Sequence, residues 1–484
     1  MKSQTVRRPE NKRSARSTKS RRYNKQTAHV EARRDGKPLI FGWGGHLSHS
    51  EKTRLQRRAT WVTAISIALL IVLVLVGYWV NINVIAPSLP ITTVNGHPIP
   101  QSQYRKLVAV KAQLELNLIY GPHGLFAQRD SLSKQINDQG KVVSSLTTQV
   151  DNLNKQIKAL PAGPSAKRTK LNTQLKAAQK QLTDAQTKQY NLGQQLQGLT
   201  QNSIPQETAN FNQSQIGTDS ATWLQDDELI REWLATQTGS IQSKINPSAS
   251  ALSRALNDFK ASIPISGPHA SSYSKFLKQD NLSDSDVQVM LALKLRREIM
   301  QTYLSSLMVS PTYQVLFRTM TLSTTSQAQS ILKQLMHGGN FAKLAKANSV
   351  DASTSGSGGY MDWQSRGQYA YSEQSAVVEN WLFDPSRKLN EISPVLTENG
   401  AYHIVQILNI DPARPVDKSQ LQSLKTNALS NWLLTRRALP GANITPVDQN
   451  KLLDPMNLPP DLPAGAPSGQ PGAPGSQPGV PGGP

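Results

Sequence analysis

Between Phe341 and His403 the chain gathers the side chains best placed to act on a substrate: Asp351, a small-residue run ending in Gly358-Gly359, Arg366-Gly367-Gln368 and His403. Several chemistries are excluded at once. The chain has no cysteine, so thiol nucleophiles, thiolate metal sites and disulfides are out. Ser355-Gly356-Ser357-Gly358-Gly359 is glycine-rich, but no P-loop lysine follows it. Ser357 is not in a nucleophile-elbow frame either. His46 and His49 have a spacing that a metal could use, yet a lone pair of this kind reads as surface decoration, and neither metal nor cofactor is expected. A carboxylate and an imidazole remain. Asp351 is open to two readings, a site carboxylate or a turn residue that caps its own loop. His403 is likewise a participant in the chemistry or a structural, hydrogen-bonded histidine.

The elements that must hold these residues show in the periodicity. Tyr313 to Leu322 reads as a strand, and so does His403 to Ile410. Ala328, Ile331, Leu332 and Leu335 fit a helix that Gly338-Gly339 stops, and Phe341, Leu344 and Ala345 start another. Residues 311–411 are expected to form a small α+β domain.

One family resemblance covers this whole stretch. Asn340-Phe341-Ala342-Lys343-Leu344-Ala345, Ser349-Val350-Asp351, Gly358-Gly359, Trp363, Arg366-Gly367-Gln368, Ile392-Ser393-Pro394-Val395 and Tyr402-His403-Ile404 resemble, in order and spacing, the parvulin (PpiC) peptidyl-prolyl cis–trans isomerases. The resemblance implies a small antiparallel sheet with helices, isomerase activity on X–Pro bonds, and no cofactor. It implies catalytic roles for His403, Asp351 and Thr319, the last standing where the family carries a further histidine. It also implies substrate binding by Met361, Tyr369, Val378, Arg366 and Gln368. Tyr360 and Asp362 depart from the family's Asp and Gly, and Thr319 cannot carry imidazolium charge.

The rest of the chain reads as support. Residues 1–60 hold 17 Lys or Arg against 4 acids, and residues 1–58 are expected to be a basic, disordered cytoplasmic tail. No nucleic-acid motif accompanies that charge, so nucleic acid is not an expected partner. Trp61 to Val80 contains no charge and is long enough to cross a hydrocarbon core of about 30 Å. A membrane helix is expected over 59–84. Arg57 and Arg58 directly before it place the N-terminus in the cytoplasm and the bulk of the chain outside. The apolar run and the segment before it are too long for a cleaved signal peptide.

Val94-Asn95-Gly96 signals a turn. Residues 90–128 and 201–306 read as a helical region, with Ser283 capping one helix. Residues 129–200 carry an a/d seam broken at Pro161-Ala162-Gly163-Pro164, which predicts a coiled-coil hairpin with arms of about 30 residues, about 45 Å long. A helix is expected over 412–440 and a disordered Pro/Gly tail over 455–484. This layout resembles that of PrsA/SurA-type foldases. It implies a membrane-anchored foldase acting on unfolded, proline-containing exported chains. Two other readings stay open: a non-catalytic chaperone that keeps the fold as a peptide-binding module, and a structural envelope protein whose hairpin meets envelope partners or itself.

Overall fold

The computed structural model describes residues 49–372 and 375–464. Most of the expected basic tail, with His46, and the tail from residue 465 lie outside the described residues. The chain divides into two units between Tyr78 and Trp79.

In the first unit, helix α1 begins at His49 and runs to Val80. The expectation that residues up to 58 are unstructured is thus corrected for 49–58. Once the apolar segment is helical, propagation adds one backbone bond per residue, and Leu55, Gln56, Arg57, Arg58 and Ala59 are good helix formers. Among the described residues one helical stretch, Thr53–Ser88, is long and apolar enough to cross a membrane. None of its apolar window is buried, unlike the core helix of a soluble protein.

The second unit starts with strands β1 (Pro90–Val94) and β2 (His97–Pro100), paired antiparallel. Asn95 and Gly96 join them at φ 49° and 87°, the left-handed pair that a tight hairpin requires. Helices α2 (Gln101–Tyr120), α3 (Leu125–Lys158), α4 (Ala166–Gly198), α5 (Gln213–Ala235), α6 (Ala249–Ser262) and α7 (Asp284–Leu307) follow. Helices α3 and α4 lie antiparallel, with Leu153, Leu171 and Ala178 buried between them and Gln139 Nε2 donating to the Ala185 carbonyl at 3.1 Å. Ser283 caps α7 in a reciprocal box with Asp286.

Next comes the module that holds the site residues. Its elements are β3 (Thr312–Leu322), α8 (Thr325–Met336), α9 (Phe341–Asn348), β4 (Tyr360–Ser365), α10 (Ala376–Leu382), β5 (Leu396–Glu398) and β6 (Ala401–Arg414). The four strands form one antiparallel sheet in the order β4-β3-β6-β5. Alternation divides its side chains. Met320, Leu322 and Ile404 pack against Ala328, Ile331, Phe341 and Ala345 of α8 and α9. Val315, Phe317, Val405 and Ile407 face the other way, onto Tyr369, Val378, Leu382 and Phe383.

The chain then returns to the helical region through α11 (Lys418–Thr426) and α12 (Ala428–Arg437). Leu429 and Leu433 join the core made by Ile91, Tyr104, Leu224, Ile230 and Met300. A charged network fastens the same junction. Asp226, almost fully buried, contacts Arg297 and takes a 2.6 Å bond from Arg437, while Arg296 contacts Asp227. Burial pushes the Asp227 carboxyl up, against the opposing pull of Arg296. Beyond α12, Thr445 N donates to the Thr93 carbonyl at 3.0 Å and Tyr104 donates to the Leu452 carbonyl at 2.9 Å. The expectation of disorder from 455 is corrected for 455–464. Asn457 is buried, Leu462 enters the core, and Gln213 N bonds the Pro463 carbonyl at 2.8 Å. A proline-rich segment shows no helical or strand period, yet isolated Leu and Asn side chains still anchor it once a groove exists.

The outcome is an α+β chain, mostly helical, with small antiparallel sheets. The sheet module is inserted into a helical region that its two flanks build together.

Candidate active site

His403 lies on β6 opposite Thr321 of β3. Thr321 spends its backbone groups away from β6: its N–H goes to Ser349 Oγ at 3.1 Å and its carbonyl accepts from Val350 N at 2.8 Å. The pair is therefore of the non-hydrogen-bonded kind, in which facing side chains come closest. Thr321 Oγ1 and His403 Nδ1 are 3.2 Å apart. Thr319, two residues earlier on the same face, is 1% exposed, and its hydroxyl has no partner among the described residues.

Asp351 is brought to this end of the sheet by the same loop. Ser349 and Val350 pin it to Thr321, and its carboxylate organises the turn that follows. Ser353 N and Oγ donate to Oδ1 at 2.9 and 2.6 Å, and Thr354 Oγ1 donates to Oδ2. Burial acts to raise the Asp351 carboxyl, but these donors outweigh it and hold it below the usual carboxylate range. Asp351 therefore caps its own loop and is also charged near His403. The imidazole is mostly buried. Burial holds His403 below its ordinary value, while the charges of Glu398 and Asp351 oppose that shift.

The loop closes through two glycines. Thr354 accepts Gly359 N–H at 2.8 Å, and Gly359 accepts Thr319 N–H at 2.8 Å. Gly359 has φ +75°, and a Cβ there would stand 2.0 Å from the Thr319 carbonyl oxygen. The Gly358-Gly359 pair is thus a requirement of close backbone approach, not of phosphate binding.

The residues expected to bind substrate divide into two sets. Met361, Tyr369 and Val378 fall in one cluster with Phe317, whose ring meets that of Tyr369 edge-on at 5.3 Å. Tyr369 is 3% and Val378 0% exposed, so this conformation shows a packed core with Met361 at its margin. Arg366 and Gln368 turn to protein partners. Arg366 Nη2 donates to the Phe383 carbonyl at 2.6 Å. Gln368 Oε1 accepts from Ser365 N at 3.2 Å and from Gln420 of α11, linking the module to the helical region.

Three residues escaped the sequence reading. Thr321 was accessible from alternation, since it shares a face with Thr319. Glu398 was accessible from the Asn399-Gly400 turn, which fixes the β5–β6 register. Glu379 was not accessible. It lies on the buried side of α10 and accepts Gly367 N at 2.5 Å and Ala370 N at 2.7 Å. Burial pushes its carboxyl up, and those two donors oppose the shift.

Elsewhere, His97, Glu228 and Glu232 place ligand atoms within 4.8 Å of one another, close enough for a divalent cation. Ion pairing accounts for the cluster. His97 Nδ1 is 2.8 Å from Glu228 Oε1, and Arg231 and Asn95 take the far oxygens of the two carboxylates at 2.9 and 2.6 Å.

Known proteins resemble this chain chiefly over the sheet module. The family model described as PPIC-type PPIASE domain matches residues 301–411. Foldase protein PrsA of Exiguobacterium sibiricum is 34% identical over 82 residues, 17% of this chain and 25% of that protein. Foldase protein PrsA of Pediococcus pentosaceus is 33% identical over 92 residues, 18% of this chain and 28% of that protein. The chain thus spans about a quarter of the length of these curated relatives. Among solved structures, foldase protein PrsA from Streptococcus pneumoniae shares 17% identity over 50% of this chain and 83% of its own, with a TM-score of 0.21. The parvulin NmPin of Nitrosopumilus maritimus shares 22% over 21% of this chain and 100% of its own, with a TM-score of 0.18. Residues 301–411 of this chain, the stretch that carries Thr319, Asp351 and His403, are thus similar to a PPIC-type PPIASE domain.

Proposed function

We propose that the chain is a membrane-anchored, extracytoplasmic foldase whose PPIC-type domain isomerises X–Pro bonds in unfolded exported proteins. The observation that carries this reading is the convergence of Thr319, Thr321 and His403 on one end of one sheet face, with Asp351 in electrostatic reach. The reaction makes modest demands. The barrier to rotation about a peptide bond is about 18–20 kcal/mol. At the twisted amide the nitrogen regains its lone pair and can accept a hydrogen bond. A site supplies donors to that state and an apolar seat for the ring. His403 and the unpartnered Thr319 hydroxyl are candidate donors, and Met361 at the edge of the Phe317 cluster is the candidate seat. Asp351, kept ionised by Ser353 and Thr354, orders its loop beside them.

Residues 61–80 would anchor the chain, with Arg57 and Arg58 on the cytoplasmic side. The helical region built from both flanks of the module would hold the client, with the α3–α4 hairpin as a spacer or a contact arm. A prolyl-peptide isomerisation assay on the full chain in detergent tests the proposal. Catalysis above background, lost in His403→Ala, supports it; a folded chain at the background rate overturns it. The burial of Tyr369 and Val378 favours a second reading, a non-catalytic chaperone. Suppression of client aggregation at the background isomerisation rate, unchanged by His403→Ala, would select that one.

A further inference from the structure

Glu398 lies at the end of β5, directly before the Asn399-Gly400 turn. In the β5–β6 register Leu396 faces His403 and Glu398 faces Ala401, so Glu398 and His403 are diagonal neighbours on one side of the sheet. The Glu398 carboxylate divides its two oxygens. Oε1 accepts Ala376 N–H at 3.2 Å, at the start of α10. Oε2 is buried and has no hydrogen-bond partner among the described residues. Folded proteins pair nearly all buried polar atoms, and a charged acceptor without a donor is among the costlier exceptions.

No hydrogen bond or ion pair joins Glu398 to His403 among the described residues. His403 meets Thr321 through Nδ1. A buried acceptor and an imidazole therefore share one side of the sheet without a direct bond between them among the described residues. Two carboxylates act on the imidazole, Glu398 from β5 and Asp351 from the loop after α9. Both favour its protonated form, against the burial that disfavours it.

We infer that Glu398 is a positioning residue of the isomerase site, fixing the start of α10 through Oε1 and setting the charge of His403 through its carboxylate on the same side of the sheet. The inference rests on the proposed isomerase reading for its purpose, though not for its measurement. Without Glu398, burial would leave His403 neutral over a wider pH range and a weaker donor to a prolyl nitrogen.

The test uses the full chain in detergent with labelled histidine, titrated by NMR, and His403→Gln assigns the signal. In Glu398→Gln the new amide oxygen can still accept Ala376 N–H while the charge is gone. The His403 midpoint is expected to fall by about half a pH unit or more. The alkaline limb of the kcat/KM profile should move down with it, and kcat/KM at neutral pH should fall about threefold. Glu398→Asp should restore most of the midpoint, which a purely structural role would not require. Asp351→Asn should lower the midpoint independently. An unchanged His403 midpoint in Glu398→Gln overturns the inference, whether or not the chain is an isomerase. If the wild type does not catalyse isomerisation, the functional reading falls, and the titration still decides the charge coupling.

Discussion

Thr321 and His403 face each other across the two central strands of the sheet, hydroxyl oxygen 3.2 Å from imidazole Nδ1. That contact fixes the ring at the point where Thr319 and the Asp351 loop also arrive. Thr321→Val keeps the shape and removes the bond. It should lower kcat/KM by up to about tenfold, since a hydrogen bond between neutral groups is worth about 0.5–1.5 kcal/mol and the ring must be oriented. His403→Ala should lower it at least as far. The double variant should lose no more than His403→Ala alone, and steady-state kinetics on the four proteins checks this.

Gly359→Ala is expected to destabilise the module by more than about 2 kcal/mol, because a Cβ meets the Thr319 carbonyl and the residue keeps a positive φ. Gly356→Ala, in the same loop with open space around it, should have little effect. Chemical denaturation followed by tryptophan fluorescence compares the two.

The junction between helices α5, α7 and α12 predicts a different loss. Asp226→Asn leaves Arg297 and Arg437 facing an uncharged group in a partly buried site. Breaking a buried pair from one side costs about 3–5 kcal/mol, and the partial exposure of both arginines puts the expected loss near the lower figure. A fall in the urea midpoint with unchanged slope would verify it.

Asp280 supplies a pH dependence. Burial, and secondarily the charge of Asp461, pushes its carboxyl up to about 6. A folded value above the unfolded one of about 3.9 means that the native state binds the proton more tightly. The associated stability is fully present below about pH 4 and is lost as pH rises through about 6. Asp280→Asn should therefore stabilise the chain at pH 7.5 and lose that advantage at pH 4, as melting temperatures at the two pH values will show.

His403 gives the opposite slope. Its folded value is depressed, so the stability tied to its neutral form is present above the unfolded value of about 6.5. That stability is lost as pH falls through the folded value. His403→Gln should flatten the decline of stability on the acid side of pH 6.5, measured by the same melts.

Much of this was legible along the chain. The alternation of Tyr313 to Leu322 and of His403 to Ile410 determines two strands and which residues share a face. Gly358-Gly359 marks a backbone position that no other residue fills, and Ser283 marks a helix start. Trp61 to Val80 specifies a membrane-length apolar helix. Each of these follows from local sterics or short-range periodicity, which a single segment carries in full.

The tertiary structure decided the rest. A bulge beside Leu316–Phe317 shifts the β3–β6 register, so no count along either strand could say that Thr321 meets His403. The charges of Arg437 and Asp226 lie far apart in the chain and meet because α12 packs back on α5. Leu462 and Asn457 are ordered by a groove whose walls come from the start of the chain's second unit. Tyr369 and Val378, expected as a substrate seat, are interior because Phe317 and Leu382 close over them. Sequence determines what each segment can become; register, burial and charge partners depend on which distant segments it meets, and those are settled when the core closes.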